Sequence, residues 1–407
     1  MSERQKLMFN LAIYGAEPVR PRPVPLNVTI SPGLRSQILA LLDNSEPLGA
    51  YYGGSHTRRF EAAFAAAHGE DTYGVATNSG TSALHVALVA AGVGPGDEVI
   101  VQTMCFVSAA SVIVQVGAIP VICDVEPHSL TMDVERAETL ITKRTKAILP
   151  VHYWGYPANM PALRTLCDRY GLALIEDSCQ APLAPVGGRT TGMFGDLSAY
   201  AFCDRKHIRS GEGGMVICRN PDTAERLRSL VNFGKGPGWD DYEELGYSYR
   251  MVELSALICL EGLSKLGAEQ QARQEAAAVY RAALADTPLQ PVPEPEWGRS
   301  IYFKLPVILP AEHADRRPFM VEAISAENVS CRIPHRPLYE IPWLAKFLTD
   351  CDRFSGEAEC PITADVFPRM IEVETGPYLP MHEAVASARA VQKVWQAIEG
   401  GAGGIDA

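Results

Sequence analysis

The ten cysteines of this 407-residue chain include no CxxC pair and follow no regular spacing. That argues against a zinc site and against a disulfide framework. Several lie inside apolar runs, Cys123 in IPVICDV and Cys218 in GGMVIC, where they read as small buried hydrophobes of a reduced protein. No uninterrupted apolar stretch is long enough to cross a bilayer. The opening MSERQKLMFNLAIYG lacks an apolar signal core followed by a small-residue cleavage site. Both absences predict a cytoplasmic protein with no membrane partner. Positive charge is also in short supply: 36 Lys+Arg against 48 Asp+Glu gives −12. A nucleic-acid partner would need a net basic face, so that class is set aside. A small anionic ligand needs only a local site. There is no internal repeat.

What is present reads as a soluble globular protein, 47% hydrophobic and 21% charged, of a length that predicts two domains. From about residue 70 to 220, short apolar runs alternate with helical patterns. The predicted strands are Glu98–Gln102, Ile119–Val125, Ala147–Val151, Leu172–Asp177, Ser198–Phe202 and Met215–Cys218. The predicted helices are Thr81–Ala91, Asp133–Ile141 and Ala158–Tyr170. Such alternation implies an α/β domain with a mainly parallel central sheet, whose ligands sit at the carboxyl ends of strands. Val252–Asp286 is rich in Ala, Leu, Glu and Gln and nearly free of Gly and Pro. It predicts one long connecting helix, or two broken near Gly262 or Gly267. The expected division is an N-terminal arm (1–16), a large domain (17–262), a smaller C-terminal α/β domain (263–398) and a flexible tail (399–407).

Four features near strand ends carry chemistry. Thr77-Asn78-Ser79-Gly80-Thr81-Ser82 precedes the apolar helix ALHVALVAA, where exposed N–H groups and the helix dipole would seat a phosphate. A plain helix cap is the simpler reading. Asp177, in IEDSCQ, ends an apolar strand, and a buried acid there needs a cationic or N–H partner, unless it merely caps the next helix. Lys206 stands among Arg205, His207 and Arg209, before the glycines of SGEGGM. Nearby positive charge lowers a lysine pKa and frees the amine to attack a carbonyl, although a solvated basic loop has the same composition. Phe106, in TMCFVS, is placed to stack on a planar ring or to pack in the core. A phosphate seat, an aromatic, a strand-end acid and then a lysine describe a pyridoxal phosphate site.

The stretches SGTSALHVAL, GPGDEVIVQTMCFVSAA, VHYWGYPANM, EDSCQA, GDLSAYAFCDRK and SGEGGMV resemble, in that order, the DegT/DnrJ/EryC1/StrS aminotransferase family. The resemblance implies the fold type I architecture of pyridoxal phosphate enzymes and action on keto sugars and keto cyclitols. The start LAIYGAEPVRPRP is similar to members that aminate inosose-type cyclitols. The resemblance makes Lys206 the Schiff-base lysine and Asp177 the partner of the pyridinium nitrogen. Gln180 then meets the ring face or phenolic oxygen, Phe106 stacks on the ring, and Ser79, Gly80 and Thr81 form the phosphate turn. It further implies a homodimer with shared sites, in which Ser248 of GYSYRM reaches the neighbouring subunit's phosphate.

Two positions depart from the family: Ala201 replaces a serine five residues before the lysine, and Ser248 replaces an asparagine. The implied reaction moves an amino group from glutamine or glutamate to a keto cyclitol or keto sugar, with ping-pong kinetics. A dehydratase, an aminobenzoate-type aromatase and a non-catalytic ligand-binding member are the alternatives; Lys206, where dehydratases carry histidine, favours transamination. Tyr52, His152 and Tyr153 are candidates to line the acceptor pocket, with His335 in RIPHR. No metal ligand set is expected.

Overall fold

The computed structural model describes residues 10–24, 30–44, 47–49, 51, 54–238, 240–353, 356–376 and 379–400. Two helices come first, α1 (Pro32–Asp43) and α2 (Ser55–Ala66). A seven-stranded sheet follows, made of β1 (Tyr73–Thr77), β2 (Glu98–Gln102), β3 (Ile119–Cys123), β4 (Thr145–Leu149), β5 (Ala173–Asp177), β6 (Leu197–Ala201) and β7 (Gly214–Cys218). Its order is β1-β7-β6-β5-β4-β2-β3. All neighbours from β3 through β6 run parallel, while β7 is antiparallel to both β6 and β1. β2 and β7 are buried at every residue, as expected of strands covered on both faces. β1 is the edge, and side chains engage its outward backbone: Ala76 N donates to Glu61 Oε1 at 2.8 Å and Gly74 O accepts Arg228 Nη2 at 3.4 Å.

The crossover helices start and stop where local chemistry directs. α3 (Gly80–Ala90) is capped by Ser79, whose Oγ accepts Ser82 N at 3.0 Å. α4 (Ser108–Gln115) and α5 (Val134–Thr139) follow, the latter capped by Asp133. α6 (Met160–Tyr170) has the Asn159 cap and ends at Gly171, φ +65°. α7 (Pro221–Val231) is capped by Asn220 with Pro at its first position. The predicted strand and helix cores match these elements to within two or three residues. The sequence reading assigns nothing to β1, α4 or α7. Gly74 interrupts the β signature of YGVAT, and SAASVIVQ carries β-branched residues on a short helix.

Helix α8 (Glu253–Leu284) is a single unbroken run of 32 residues, not two helices. At Gly262 a side chain would meet Ile208 Cγ2 at 3.0 Å, so the glycine serves close packing and not a break. The helix starts beside α1 and α2 and runs through the expected border at residue 262 toward a second, four-stranded sheet. That sheet contains β8 (Gln290–Pro291), β9 (Leu305–Ile308), β10 (Cys331–Arg332) and β11 (Met370–Val373), in the order β8-β9-β11-β10, all antiparallel. α9 (Arg317–Ala326) and α12 (Met381–Glu399) pack with it; α10 (Pro342–Asp350) and α11 (Pro361–Val366) lie between them in the chain. One apolar core joins both sheets through Tyr153, Trp154 and Tyr156.

The N-terminal segment reaches across to the second sheet. Buried Glu327 accepts Ala12 N at 3.0 Å and Val19 N at 2.7 Å, and pairs with Lys393 at 2.8 Å. Arg20, 1% exposed, pairs with Glu374 and with Glu383 at 3.0 Å. Residues 17–20, placed with the large domain on sequence, thus dock on the C-terminal part. All ten cysteines are free thiols and seven are buried. Among the described residues, no helix is long and apolar enough to cross a membrane.

Candidate active site

The carboxyl ends of β1, β2, β5 and β6 converge, and the antiparallel β7 fixes two of them. In the register Gly214 faces Thr77 on one side and Ala201 on the other. A side chain on Gly214 would lie 2.3 Å from the Ser79 carbonyl oxygen and 2.5 Å from Thr77 Oγ1. The glycine therefore lets the turn at the start of α3 sit against the sheet. A side chain on Gly80 would fall 2.5 Å from Ala201 Cβ and 3.1 Å from Cys179 Sγ. The α3 N-terminus, the end of β6 and the start of the β5 loop thus meet at one point.

At that point Gly80 and Thr81 are the first two residues of α3, and helix geometry gives their N–H groups no internal acceptor. Ser79 Oγ already accepts Ser82 N, and it lies 2.8 Å from Ser82 Oγ. Ser79 shapes the seat by capping the helix. Behind it, Asn78 N donates to Tyr249 O at 2.7 Å, so the GYSYRM segment backs onto the turn of its own chain. There Ser248 Oγ accepts Arg250 Nη2 at 2.8 Å.

Asp177, 4% exposed, ends β5 and accepts Cys179 N on Oδ1 at 3.1 Å. Its backbone is held by the extension of β4, N donating to Pro150 O at 2.9 Å and O accepting His152 N at 3.0 Å. Its neighbour Glu176 is fully buried and accepts Gly192 N, Phe194 N and Gly195 N at 2.6–2.9 Å, besides His152 Nε2 at 3.0 Å. Burial alone would raise its pKa, but the His152 hydrogen bond and the backbone donors bring it below the ordinary value. Gln180 is buried, and its Oε1 accepts Trp154 N at 2.8 Å. That bond assigns the amide orientation and turns the NH2 group away from Trp154.

Lys206 is half-buried, with Nζ 4.9 Å from the centre of the Phe303 ring. The cations beside it in sequence do not surround it. Arg205 is exposed, and Arg209 Nη2 pairs with Glu269 at 3.3 Å. His207 is 1% exposed, and burial together with Arg273 holds its pKa well below 6.5, so it is neutral. Of the three, His207 carries no charge and Arg209 is paired, so neither supplies free positive charge to the lysine. Phe106 is 44% exposed at the end of β2, outside the core, and its ring meets His335 edge-on at 5.3 Å. Partial desolvation and the charge of Arg332 lower the His335 pKa, with smaller contributions from Lys206 and Arg205.

Two pocket candidates move. His152 is fully buried and both ring nitrogens are engaged: Nδ1 accepts Ala158 N at 3.0 Å, which leaves Nε2–H for Glu176. It ties β4 to β5 and has nothing left for a substrate. Tyr153 is 2% exposed, packed on Trp154 with ring centres 4.1 Å apart. Tyr52 lies outside the described residues. The residue that matters in HYWG is Trp154. Its N–H orients Gln180, and its Nε1 donates to Glu372 Oε2 at 2.7 Å on β11. Glu372 in turn pairs with Arg332. Phe303 has no sequence signal at all, since SIYFKLPVIL reads as an ordinary strand run.

The profile of the DegT/DnrJ/EryC1/StrS aminotransferase family matches residues 33–399. The chain belongs to the DegT/DnrJ/EryC1/StrS aminotransferase family. It is 35% identical over 292 residues to GDP-perosamine synthase of Vibrio cholerae, covering 71% of this chain and 79% of that one. It is 32% identical over 365 residues to UDP-N-acetyl-3-dehydro-alpha-D-glucosamine 3-aminotransferase of Acidithiobacillus ferrooxidans, covering 88% and 94%. Among solved structures, DesV of S. venezuelae superposes with a TM-score of 0.81 at 30% identity, covering 88% of this chain and 93% of that chain. The chain is thus a pyridoxal-phosphate-dependent aminotransferase of fold type I.

The residues present fit that cofactor. Free helix N–H groups beside a glycine suit a phosphate, a buried carboxylate suits a protonated ring nitrogen, and the charge of the Lys206 amine acts on Cys179, which abuts Gly80 and bonds to Asp177.

Two outcomes follow from this geometry. Gly214→Ala should cost about 1–3 kcal/mol by overpacking and weaken cofactor uptake by the apoprotein. Gly94→Ala, with open space around it, serves as the control in both the denaturation and the titration. Because the folded-state pKa of His207 is depressed, its stabilising contribution is complete above pH 6.5 and is lost as pH falls below it. Unfolding free energy should decline from pH 7.5 to 5, with at most about 1.4 kcal/mol per pH unit from this one group. His207→Gln should flatten that slope; equal slopes would contradict a buried neutral imidazole.

Proposed function

We propose that the chain transfers an amino group from glutamine or glutamate to the keto group of a sugar or a cyclitol, in ping-pong fashion. The observation that carries this is the close approach of Gly80 to Cys179, the residue whose N–H Asp177 accepts, which Gln180 follows, and on whose thiol the Lys206 charge acts. Gly80 and Thr81 would hold the phosphate through their N–H groups, with the capped helix behind them. Asp177 would hold a proton on the ring nitrogen. Gln180, oriented by Trp154, would present its NH2 group to the cofactor, and Phe106 would cover a ring face. When bound, the cofactor supplies an electron sink for the carbon that loses its proton. Lys206, once freed, would carry that proton as general base and acid.

The names of the relatives support an acceptor in which the keto sugar is linked to a nucleotide. The similarity of LAIYGAEPVRPRP to cyclitol-acting members supports the other acceptor class. Adding glutamine or glutamate to the cofactor-loaded protein should bleach the cofactor absorbance. A nucleotide-linked keto sugar or a keto cyclitol should then restore it, and only the true acceptor class will. Lys206→Ala should show neither change. A deoxy product without amine transfer, or an absorbance unmoved by both donors, would overturn the assignment.

The functional unit we propose is a homodimer in the cytoplasm, with Ser248 or Tyr249 facing the partner's cofactor. Large apolar side chains are exposed around the same segment: Leu245 at 79%, Tyr242 at 55% and Val252 at 49%. Leu42 at 51% on α1 and Leu48 at 47% add to them, Leu48 joined to the segment by the Gly49–Val252 bridge. Apolar exposure of this extent supports a covered interface. Leu245→Glu should convert a dimer to a monomer in light scattering and lower activity with it. A wild-type monomer at micromolar concentration would defeat the proposal.

A further inference from the structure

The mechanism proposed above leaves one buried group without a role. Phe303 is 8% exposed, and its ring lies under the Lys206 ammonium, 4.9 Å from Nζ to the ring centre. Among the described residues no carboxylate lies within ion-pairing distance of Lys206, so this ring is the group that faces its charge. The backbone that delivers the ring is held with unusual care. Tyr302 has φ +49°, a left-handed conformation that a bulky side chain rarely adopts. Such a conformation persists only where its surroundings over-determine it.

Here they do. Tyr302 N donates to Ser300 Oγ at 3.0 Å, and Tyr302 O accepts Thr375 Oγ1 at 2.6 Å. Arg273 Nη1, from buried Arg273 on α8, lies 3.3 Å from both the Tyr302 and Phe303 carbonyl oxygens. Tyr302 OH donates to Glu294 Oε1 at 2.9 Å. Gly155, φ +91°, lets this backbone come close: a side chain there would meet Phe303 N at 2.7 Å and Tyr302 N at 2.9 Å. His207, whose ring centre is 5.9 Å from that of Phe303, is held neutral and does not compete for the negative ring face.

We propose that Phe303 is a positioning residue for Lys206, its ring face being the resting place of the amine when it is protonated and not bonded to the cofactor. The proposal rests on Lys206 being the reactive amine. A lysine that alternates between bonded and free states needs a partner for its charge that will release it again. A carboxylate would hold it as a tight ion pair, whereas a ring quadrupole attracts the ammonium weakly and offers nothing to the neutral amine.

The test is the titration of Lys206 in the cofactor-free protein, by trace labelling with acetic anhydride across pH and peptide mass spectrometry. Phe303→Leu keeps the apolar bulk and removes the ring face, so the Lys206 pKa should fall by about one unit. Phe303→Tyr keeps the face and should leave it within a few tenths of wild type. In the loaded enzyme, Phe303→Leu should lower kcat several-fold with KM for either substrate little changed. Folded Leu and Tyr variants that titrate like wild type would overturn the proposal. If the leucine variant does not fold, pentafluorophenylalanine at 303, similar in shape with reversed ring charge, should give the same fall, and an unchanged pKa would be equally fatal. Borohydride reduction of the loaded wild type separates the two readings, because failure to fix the cofactor on Lys206 would sink the assignment of the reactive amine itself.

Discussion

The close approach of the Ser79 carbonyl to Gly214 is the constraint on which the site depends. It exists because β7 runs against its neighbours and pairs Gly214 with Thr77 and Ala201 at once. Two segments far apart in sequence, the helix turn after β1 and the run leading to Lys206, are thereby fixed by one backbone ladder. A backbone ladder is a stiffer reference than side-chain packing, since every residue shift would flip the faces of the whole strand. The turn at the start of α3 and the segment leading to Lys206 therefore hold their separation through the sheet.

Around that frame the charges are arranged by burial more than by sequence neighbourhood. Glu176 sits one residue before Asp177, yet the two carboxylates have different tasks. Glu176 points among three backbone donors and His152, where it fastens the loop at 192–195 to the sheet. Asp177 faces the opposite side and accepts Cys179 N, because successive side chains on a strand face opposite ways. The same division applies to Lys206 and His207. One faces the cleft, and the other is buried and kept neutral by desolvation. A carboxylate surrounded by preformed donors remains ionised in the interior, whereas an imidazole without an acidic partner does not.

The second sheet takes part in the site through two contacts. Glu372 on β11 receives Trp154 Nε1, and Trp154 N holds Gln180. Phe303, just before β9, faces Lys206. Arg332, which pairs with Glu372, leads into the segment bearing His335 at the mouth of the cleft. The smaller sheet thus contacts both the Gln180 amide, through Trp154, and the Lys206 amine, through Phe303.

The sequence by itself determined the α/β alternation, the long helix and the order of the chemistry-bearing motifs. Apolar periodicity and cap residues are local properties, and each motif is contiguous. It also determined which residue types stand at the strand ends, and hence the family. The tertiary structure alone decided the surroundings of each group. Arg209 turns to Glu269 and His152 closes on Glu176, neither of which is legible when neighbours are judged along the chain. It alone revealed β1 as an edge strand despite Gly74, and Phe303 and Trp154 as neighbours of Lys206 and Gln180. Those contacts join residues far apart in sequence, and no local pattern encodes a distance that only the packing of two sheets sets.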